Sequence, residues 1–406
     1  VRHARARRLP MGPRPPAPDP VGAPPCRQGG RFVKIEHIEA MVLKAPVPDI
    51  ASWRAASFAM PFAYAETTLV KVVADDGTIG WGEVHAPVAP EVTKSIIDVL
   101  IAPALLGRDP MNWAPLWDRM HALMRPRGHA LGFMQEAISG VDIALHDLAG
   151  KAQGVPCYAL LGGLQRDRVR VYASVLPWLE PTMLAQSAER FRDLGFSAMK
   201  LKVGQDPEID RAKVVHVRRA IGDDMELMAD ANCRYTVSEA ISMARVLEEY
   251  GFGWFEEPVA PEDVTGYVTL RRKTDVAIAG GECESTHYRF ADLFARGAFD
   301  VAQPDICRAG GLTACHRIGV LADAHGLRIA PHVSIGSALH LAASLHWAAS
   351  ERSVWIHEYP VFDNPLVDDL LHEPLDLRDG FLHVPVGRPG LGVEVREDVI
   401  ERYRTA

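Results

Sequence analysis

The sequence predicts an α/β protein in which an α+β unit precedes a (β/α)8-type barrel whose last helix is missing or altered. Three observations carry this. Residues 33–84 read strand–turn–strand, and residues 91–153 switch to helical periodicity. From residue 169 onward, short apolar strands alternate with amphipathic helices at roughly 25-residue spacing, about one βα unit. After the eighth strand, "DNPLVDDLLHEPLDLRDGFLHVPVGRPGLGVEV" stands where a long amphipathic helix would be.

The first 32 residues hold seven Arg, eight of the 30 Pro and one Asp. They carry about +6, leaving about −14 on the rest of a chain whose formal net charge is −8. They have no hydrophobic periodicity, so disorder is expected, and no apolar h-region of a secretory signal. A strand pattern begins abruptly at Val33. The expectation is that the natural start lies near there and that residues 1–32 are absent from the native protein. In the next stretch, "KIEHIEAMVLKA" and "ETTLVKVVADDGTIGWGEV" alternate as strands around a "DDG" turn. The loop between them is too long for a plain connection, which points to function. In "EAISGVDIALHDLAGKAQG", Ile138, Val141, Ile143, Ala144 and Leu148 mark one apolar helix face. The barrel strands are then residues 169–175, 197–204, 226–232, 253–258, 276–282, 300–306, 328–333 and 353–359. The expected organisation is a tail (1–32), an α+β domain (33–158), a barrel (159–360) and a C-terminal segment (361–406) that returns to the α+β domain.

With 406 residues, 48% of them hydrophobic, the chain can build more than one core. No run of eighteen uncharged apolar residues exists, so no membrane partner is expected. The negative charge argues against a nucleic-acid partner. Six cysteines without a C-x-x-C pair read as reduced thiols of a cytoplasmic protein.

The chemistry is written at the strand ends. Lys202, Asp230, Glu256, Glu282, Asp305, His332 and Glu358 follow one another at steps of 28, 26, 26, 23, 27 and 26 residues. In such a barrel the C-terminal strand ends line one face, where catalytic groups sit. Any one of these alone reads more simply as a helix cap or a structural ion pair; the ordered series does not. Asp230, Glu256 and Glu282 come from consecutive strands, and three converging carboxylates need a cation. Three hard oxygen ligands suit Mg²⁺ rather than Zn²⁺. Asp305 and His332 lie on the next two strands as a carboxylate–imidazole pair. Lys200 and Lys202 share one strand face. At ~6 Å and an effective dielectric of ~20, two ammonium groups repel by roughly 3 kcal/mol, about two pKa units. Lys200 is therefore expected to bring Lys202 toward the range of a base. Lys202 and His332 would flank a bound substrate from opposite sides.

Together "MKLKVG", "MADAN", "WFEEP", "GGE", "PDI" and "PHV" resemble the enolase superfamily, mandelate racemase subgroup, over about residues 33–406. The resemblance implies a modified (β/α)7β TIM barrel under an α+β capping domain formed by the N-terminal residues plus the C-terminal tail. It implies Mg²⁺ on Asp230, Glu256 and Glu282, a Lys-x-Lys base at Lys202 and an Asp305–His332 dyad. It further implies an enediolate-stabilising hydrogen bond from Glu358, and Asn232 beside the metal site. Relatives commonly form even-numbered homo-oligomers, so a homo-oligomer is expected. The implied chemistry is α-proton abstraction from a small carboxylate. Dehydration of a sugar acid to a 2-keto acid is expected first, because sugar acids carry a β-hydroxyl; racemisation or lactone cycloisomerisation is the alternative. Residues 45–66 and 124–132 are the expected specificity loops, with Arg54, Arg125, Arg127 and His129 as substrate-binding candidates. His85 is a weaker candidate, and His146 reads as structural. A non-catalytic barrel would lack a ligand or a base, and none is missing. A zinc hydrolase barrel would want His-x-His on the first strand, and "VRVYASV" offers none.

Overall fold

The computed structural model describes residues 33–48, 64–176 and 181–405. Residues 1–32, with the expectations placed on them, lie outside the described part. The first unit is an antiparallel sheet in the order β1 (Ile35–Pro46), β2 (Tyr64–Ala74), β3 (Ile79–Val84). The predicted "DDG" turn joins β2 to β3, with Gly77 at φ +87°, a region favouring glycine. The helix Phe133–Gln153 packs on this sheet. It comes so close that a Cβ on Gly82 would stand 2.1 Å from the Gly140 carbonyl oxygen. The "GWGE" glycines therefore set how deeply the helix seats.

The eight predicted barrel strands are present: β4 (Arg168–Leu176), β5 (Ala198–Lys202), β6 (Glu226–Asp230), β7 (Phe252–Glu256), β8 (Ala277–Gly280), β9 (Val301–Ala302), β10 (Arg328–Ile329) and β11 (His357–Pro360). Neighbours from β4 to β10 pair in parallel, and β11 closes the ring by pairing parallel to β4. Between β10 and β11 a single bridge joins Ile329 to Val354. Strands β9 and β10 are shorter than their sequence patterns. Pro304 and Pro331 have no N–H to give the ladder, and pairing resumes beyond them as an isolated bridge from Asp305 to His332. Each strand sends one residue into an inner layer: Tyr172, Ala198, Met228, Trp254, Ala279, Val301, Ala330 and Ile356.

The eighth helix is replaced, as predicted, by a short helix, Pro365–Asp368. A hairpin, β12 (Leu377–Arg378) and β13 (Phe381–His383), then adds antiparallel to β4. The chain then returns to the first unit. The Leu391 N–H donates to Asp147 Oδ1 (2.8 Å), and the Thr405 N–H donates to the Val42 carbonyl (3.0 Å). Among the described residues no helix is long and apolar enough to cross a membrane.

Candidate active site

The site follows from a period of two. Side chains two positions beyond the inner layer point the same way along each strand. Above that apolar ring therefore stand Ser174, Lys200, Asp230, Glu256, Gln303, His332 and Glu358, all buried. Just past β8, Gly281 stands at this height, followed by Glu282. One apolar layer thus supports one polar layer at the C-terminal mouth.

Lys200 is the hub of that layer. Its Nζ lies 2.5 Å from Glu256 Oε1, 2.9 Å from Glu358 Oε1 and 3.7 Å from Asp230 Oδ2. Burial lowers its pKa, but Glu256 and Glu358 outweigh burial and hold it well above the ordinary value. Lys202 sits one layer higher and contacts Asp230 Oδ2 and Asn232 Oδ1, the latter at 2.7 Å. Here the structure corrects an expectation. Burial lowers the Lys202 pKa and Lys200 lowers it further, yet Asp230 reverses the sum and the net direction is up. A carboxylate in contact outweighs a more distant ammonium. Asn232 therefore meets Lys202 itself.

Oxygens of Asp230, Glu256 and Glu282 lie within 4.8 Å of one another. Burial raises the Glu256 pKa and Lys200 opposes it, but Asp230, Glu282 and Glu358 add to the rise, which reaches about 8. The Asn232 N–H holds Asp230 Oδ1 at 2.8 Å.

On the other side, His332 Nδ1 is 2.7 Å from Asp305 Oδ2. Burial raises the Asp305 pKa, but His340, His85 and the His332 bond hold it well below the carboxylate range. An ionised Asp305 accepts, so His332 Nδ1 donates. His332 Nε2 then faces Glu282 Oε2 at 3.4 Å and Glu358 Oε2 at 3.8 Å. Burial lowers the His332 pKa, but Glu282, Glu358 and Asp305 lift it to about 10. Glu358 accepts from Ser174 Oγ and from the Val333 N–H (3.0 Å). Burial raises its pKa, yet Lys200 and His332 bring it down to about 2. In this setting Glu358 is an acceptor and an anchor. The hydrogen bond to an enediolate that the resemblance implies would be given by the acid form of Glu358.

Arg125 and Arg127 are exposed on a short 3-10 helix, Arg125–Arg127, and His129 is exposed two residues beyond it. The Arg125 guanidinium lies 5.3 Å from the Tyr288 ring, at the start of the helix Thr286–Arg296. Arg54 lies outside the described residues. His85 sits near the dyad, its ring 6.1 Å from His332 and 5.7 Å from His340. His146 bonds its own helix through the Asp142 carbonyl, 2.8 Å away.

Several participants escaped the sequence reading. His340 Nε2 is 3.2 Å from Asp305 Oδ1, but "SALHLAASLHW" reads as an ordinary buried helix. Gln303 Nε2 donates to Glu256 Oε2 at 2.6 Å. Ser174 and Gln303 lay within reach, since both are polar residues at inward strand positions. Arg308, three residues past Asp305, approaches Glu136 of the first unit at 3.5 Å.

Residues 183–399 match the family model described as enolase C-terminal domain-like. Residues 48–162 match that of the mandelate racemase/muconate lactonizing enzyme N-terminal domain. The chain belongs to the mandelate racemase/muconate lactonizing enzyme group of the enolase superfamily, and it is an enzyme of that superfamily. It is 37% identical to D-galactarolactone cycloisomerase of Agrobacterium fabrum (strain C58), over 86% of this chain and 94% of that protein. It is 34% identical to arabinonate dehydratase of Saccharolobus solfataricus, over 84% and 91%. The solved 3,6-anhydro-D-galactonate cycloisomerase of Zobellia galactanivorans superposes with a TM-score of 0.83. That structure is 38% identical and aligns over 92% of this chain and all of its own.

Proposed function

We propose that this enzyme abstracts the α-proton of a sugar-acid carboxylate and expels an oxygen from the β-carbon. For an aldonate, aldarate or uronate, that is dehydration to a 2-keto-3-deoxy acid. One observation carries the reading: two basic groups stand at opposite ends of a carboxylate row. Lys202 Nζ contacts Asp230 at one end, and His332 Nε2 faces Glu282 at 3.4 Å at the other.

Asp230, Glu256 and Glu282 fit Mg²⁺: their donors are hard, they converge, and burial together with the neighbouring carboxylates pushes the Glu256 pKa up to about 8. Bound there, Mg²⁺ would supply the positive charge that an enediolate needs. The charge of a bound Mg²⁺ would oppose the carboxylates that hold Lys202 and His332 protonated; whichever of the two is then neutral takes the α-proton, and the group on the other side, in its acid form, hands a proton to the departing oxygen. Asp305 keeps His332 Nε2 turned toward the substrate. Lys200 and Glu358 brace the layer beneath, while Arg125, Arg127 and His129 are the described candidates for the distal hydroxyls.

A ring variant of the same elimination has support in the 37% likeness to a cycloisomerase. If the β-oxygen belongs to a ring, its departure opens the ring and the net change is an isomerisation. A Mg²⁺-dependent screen of sugar acids and their lactones, read as 2-keto acid formation, separates the two variants. On the true substrate, Lys202→Ala and His332→Asn should each lose roughly 10²–10⁴-fold in kcat. Near wild-type rates in both variants would overturn the assignment.

A further inference from the structure

Cys233 and Cys283 stand at the ends of β6 and β8, one residue past Asn232 and Glu282 respectively. Strand β7 lies between them, ends at Glu256 and is followed by Glu257. Glu256 points into the barrel with the acidic row, and Glu257 turns the other way. The Cys233 thiol donates to Glu257 Oε2 at 3.3 Å, so Cys233 joins the group through Glu257. Glu257 is 2% exposed, and its Oε1 is fully buried without a hydrogen-bond partner. Ligand atoms of Glu257, Glu282 and Cys283 lie within 4.8 Å of one another. Cys283 is exposed and Cys233 half-buried, so solvent reaches the thiols. A buried carboxylate oxygen without a partner is costly, and a cation would satisfy it.

The donor set differs in kind from the neighbouring one. Asp230, Glu256 and Glu282 offer hard oxygens only. Cys233, Cys283 and Glu257 offer two sulfurs and a carboxylate, and Glu282 lies on the edge between the two groups. Paired thiolates with carboxylates select a soft or borderline ion and suit four-coordinate Zn²⁺.

We propose that Cys233, Cys283 and Glu257, with Glu282 as a shared edge, form a second metal site that takes Zn²⁺ beside the acidic row. Binding is a ligand exchange without redox change: two thiol protons leave to solvent, and two Zn–S bonds form. Zn²⁺ draws Glu282 away from the acidic row, so Zn²⁺ opposes Mg²⁺-dependent turnover. The proposal rests on the Mg²⁺ reading only through Glu282.

The test is metal binding to the whole chain in excess Mg²⁺. Zn²⁺ is followed by equilibrium dialysis, and Cd²⁺ by its thiolate charge-transfer absorption in the ultraviolet. Wild type should take up one Zn²⁺ per chain and show the Cd²⁺ band. Cys283→Ser and Cys233→Ser should each lose the band and weaken Zn²⁺ by at least about tenfold, and Glu257→Gln should weaken it without abolishing the band. Asp230→Asn should keep the Zn²⁺ site while losing Mg²⁺-dependent activity. No stoichiometric Zn²⁺, or a band unchanged in Cys283→Ser, overturns the second site. Full activity in Asp230→Asn would instead overturn the Mg²⁺ reading and leave the Zn²⁺ result standing by itself.

Discussion

Lys200 and Lys202 show how two like residues can take different parts. Both lie on one strand face, and both meet carboxylates. Lys200 lies lower, closed in by Glu256, Glu358 and Asp230, so it holds the polar layer together. Lys202 lies above it and, among the described residues, bonds Asp230 and Asn232, which suits it to the proposed role of reaching a substrate. The strand-end series was legible because strands repeat at one βα unit and side chains alternate with period two. What the sequence did not give up was how the electrostatic terms sum. The spacing of the two lysines pointed to their repulsion; only the fold shows that Asp230 outweighs it. His340 was hidden for a related reason, since a helix placed by folding carries it to Asp305. Glu136 offers a test at this scale. Burial lifts its pKa from 4.5 to about 7, with Asp305 adding to the rise and Arg308 opposing it. For an acid whose folded pKa is raised, the neutral form suits the fold. No penalty exists below pH 4.5; stability is lost as pH climbs from 4.5 to 7 and is level above. The span corresponds to on the order of 3 kcal/mol. Glu136→Gln should therefore gain stability relative to wild type across that window, read by urea denaturation at several pH values. A difference that does not change between pH 5 and 8 would refute the account.

At the scale of elements, the join between the first unit and the barrel is made by Glu83, at the end of β3. Its carboxylate accepts from the Ser337 N–H (2.7 Å), the His340 N–H (2.9 Å), Ser337 Oγ and Thr67 Oγ1 (2.8 Å). It thus satisfies free donors at the N-terminus of the helix Ala338–Ser350, where a negative charge is favoured. That helix carries His340, so one carboxylate sets both the seat of the first unit and a group beside the Asp305–His332 dyad. The sequence hid this. "GWGEV" marks a strand, but which helix end its glutamate meets 254 positions later is a matter of topology. Glu83→Gln puts an N–H where Ser337 or His340 needs an acceptor. The expected cost is about 2–4 kcal/mol, measured as a shift in the denaturation midpoint. A loss under about 1 kcal/mol would mean that Glu83 does not clamp the helix.

At the scale of the whole molecule, the C-terminal segment is what makes two units one. The sequence announced its existence by the missing eighth helix, and its weak periodicity concealed its path. It follows that path through scattered backbone bonds, which leave no hydrophobic repeat. After β13 pairs with β4, the chain passes Pro156, where the Cys157 N–H donates to the Gly390 carbonyl (2.8 Å). Leu391 then docks on Asp147, whose other oxygen accepts from the Trp81 N–H at 2.8 Å. Last, the helix Glu397–Tyr403 buries Val399 and Ile400, and Arg404 bridges to Leu43 on β1. Removing residues 388–406 leaves the barrel strands and β13 intact but frees Asp147, the edge of β1 and the apolar surface under Val399 and Ile400. Two buried aliphatic side chains alone account for about 3–5 kcal/mol. A drop in Tm of roughly 5–10 °C follows for a domain of this kind. Because the Glu83 clamp also depends on where the first unit sits, the truncated enzyme should lose turnover at temperatures well below its Tm. An unchanged Tm, or activity that survives up to the melting transition, would show that Glu83 and the helix Phe133–Gln153 hold the two units together without the tail.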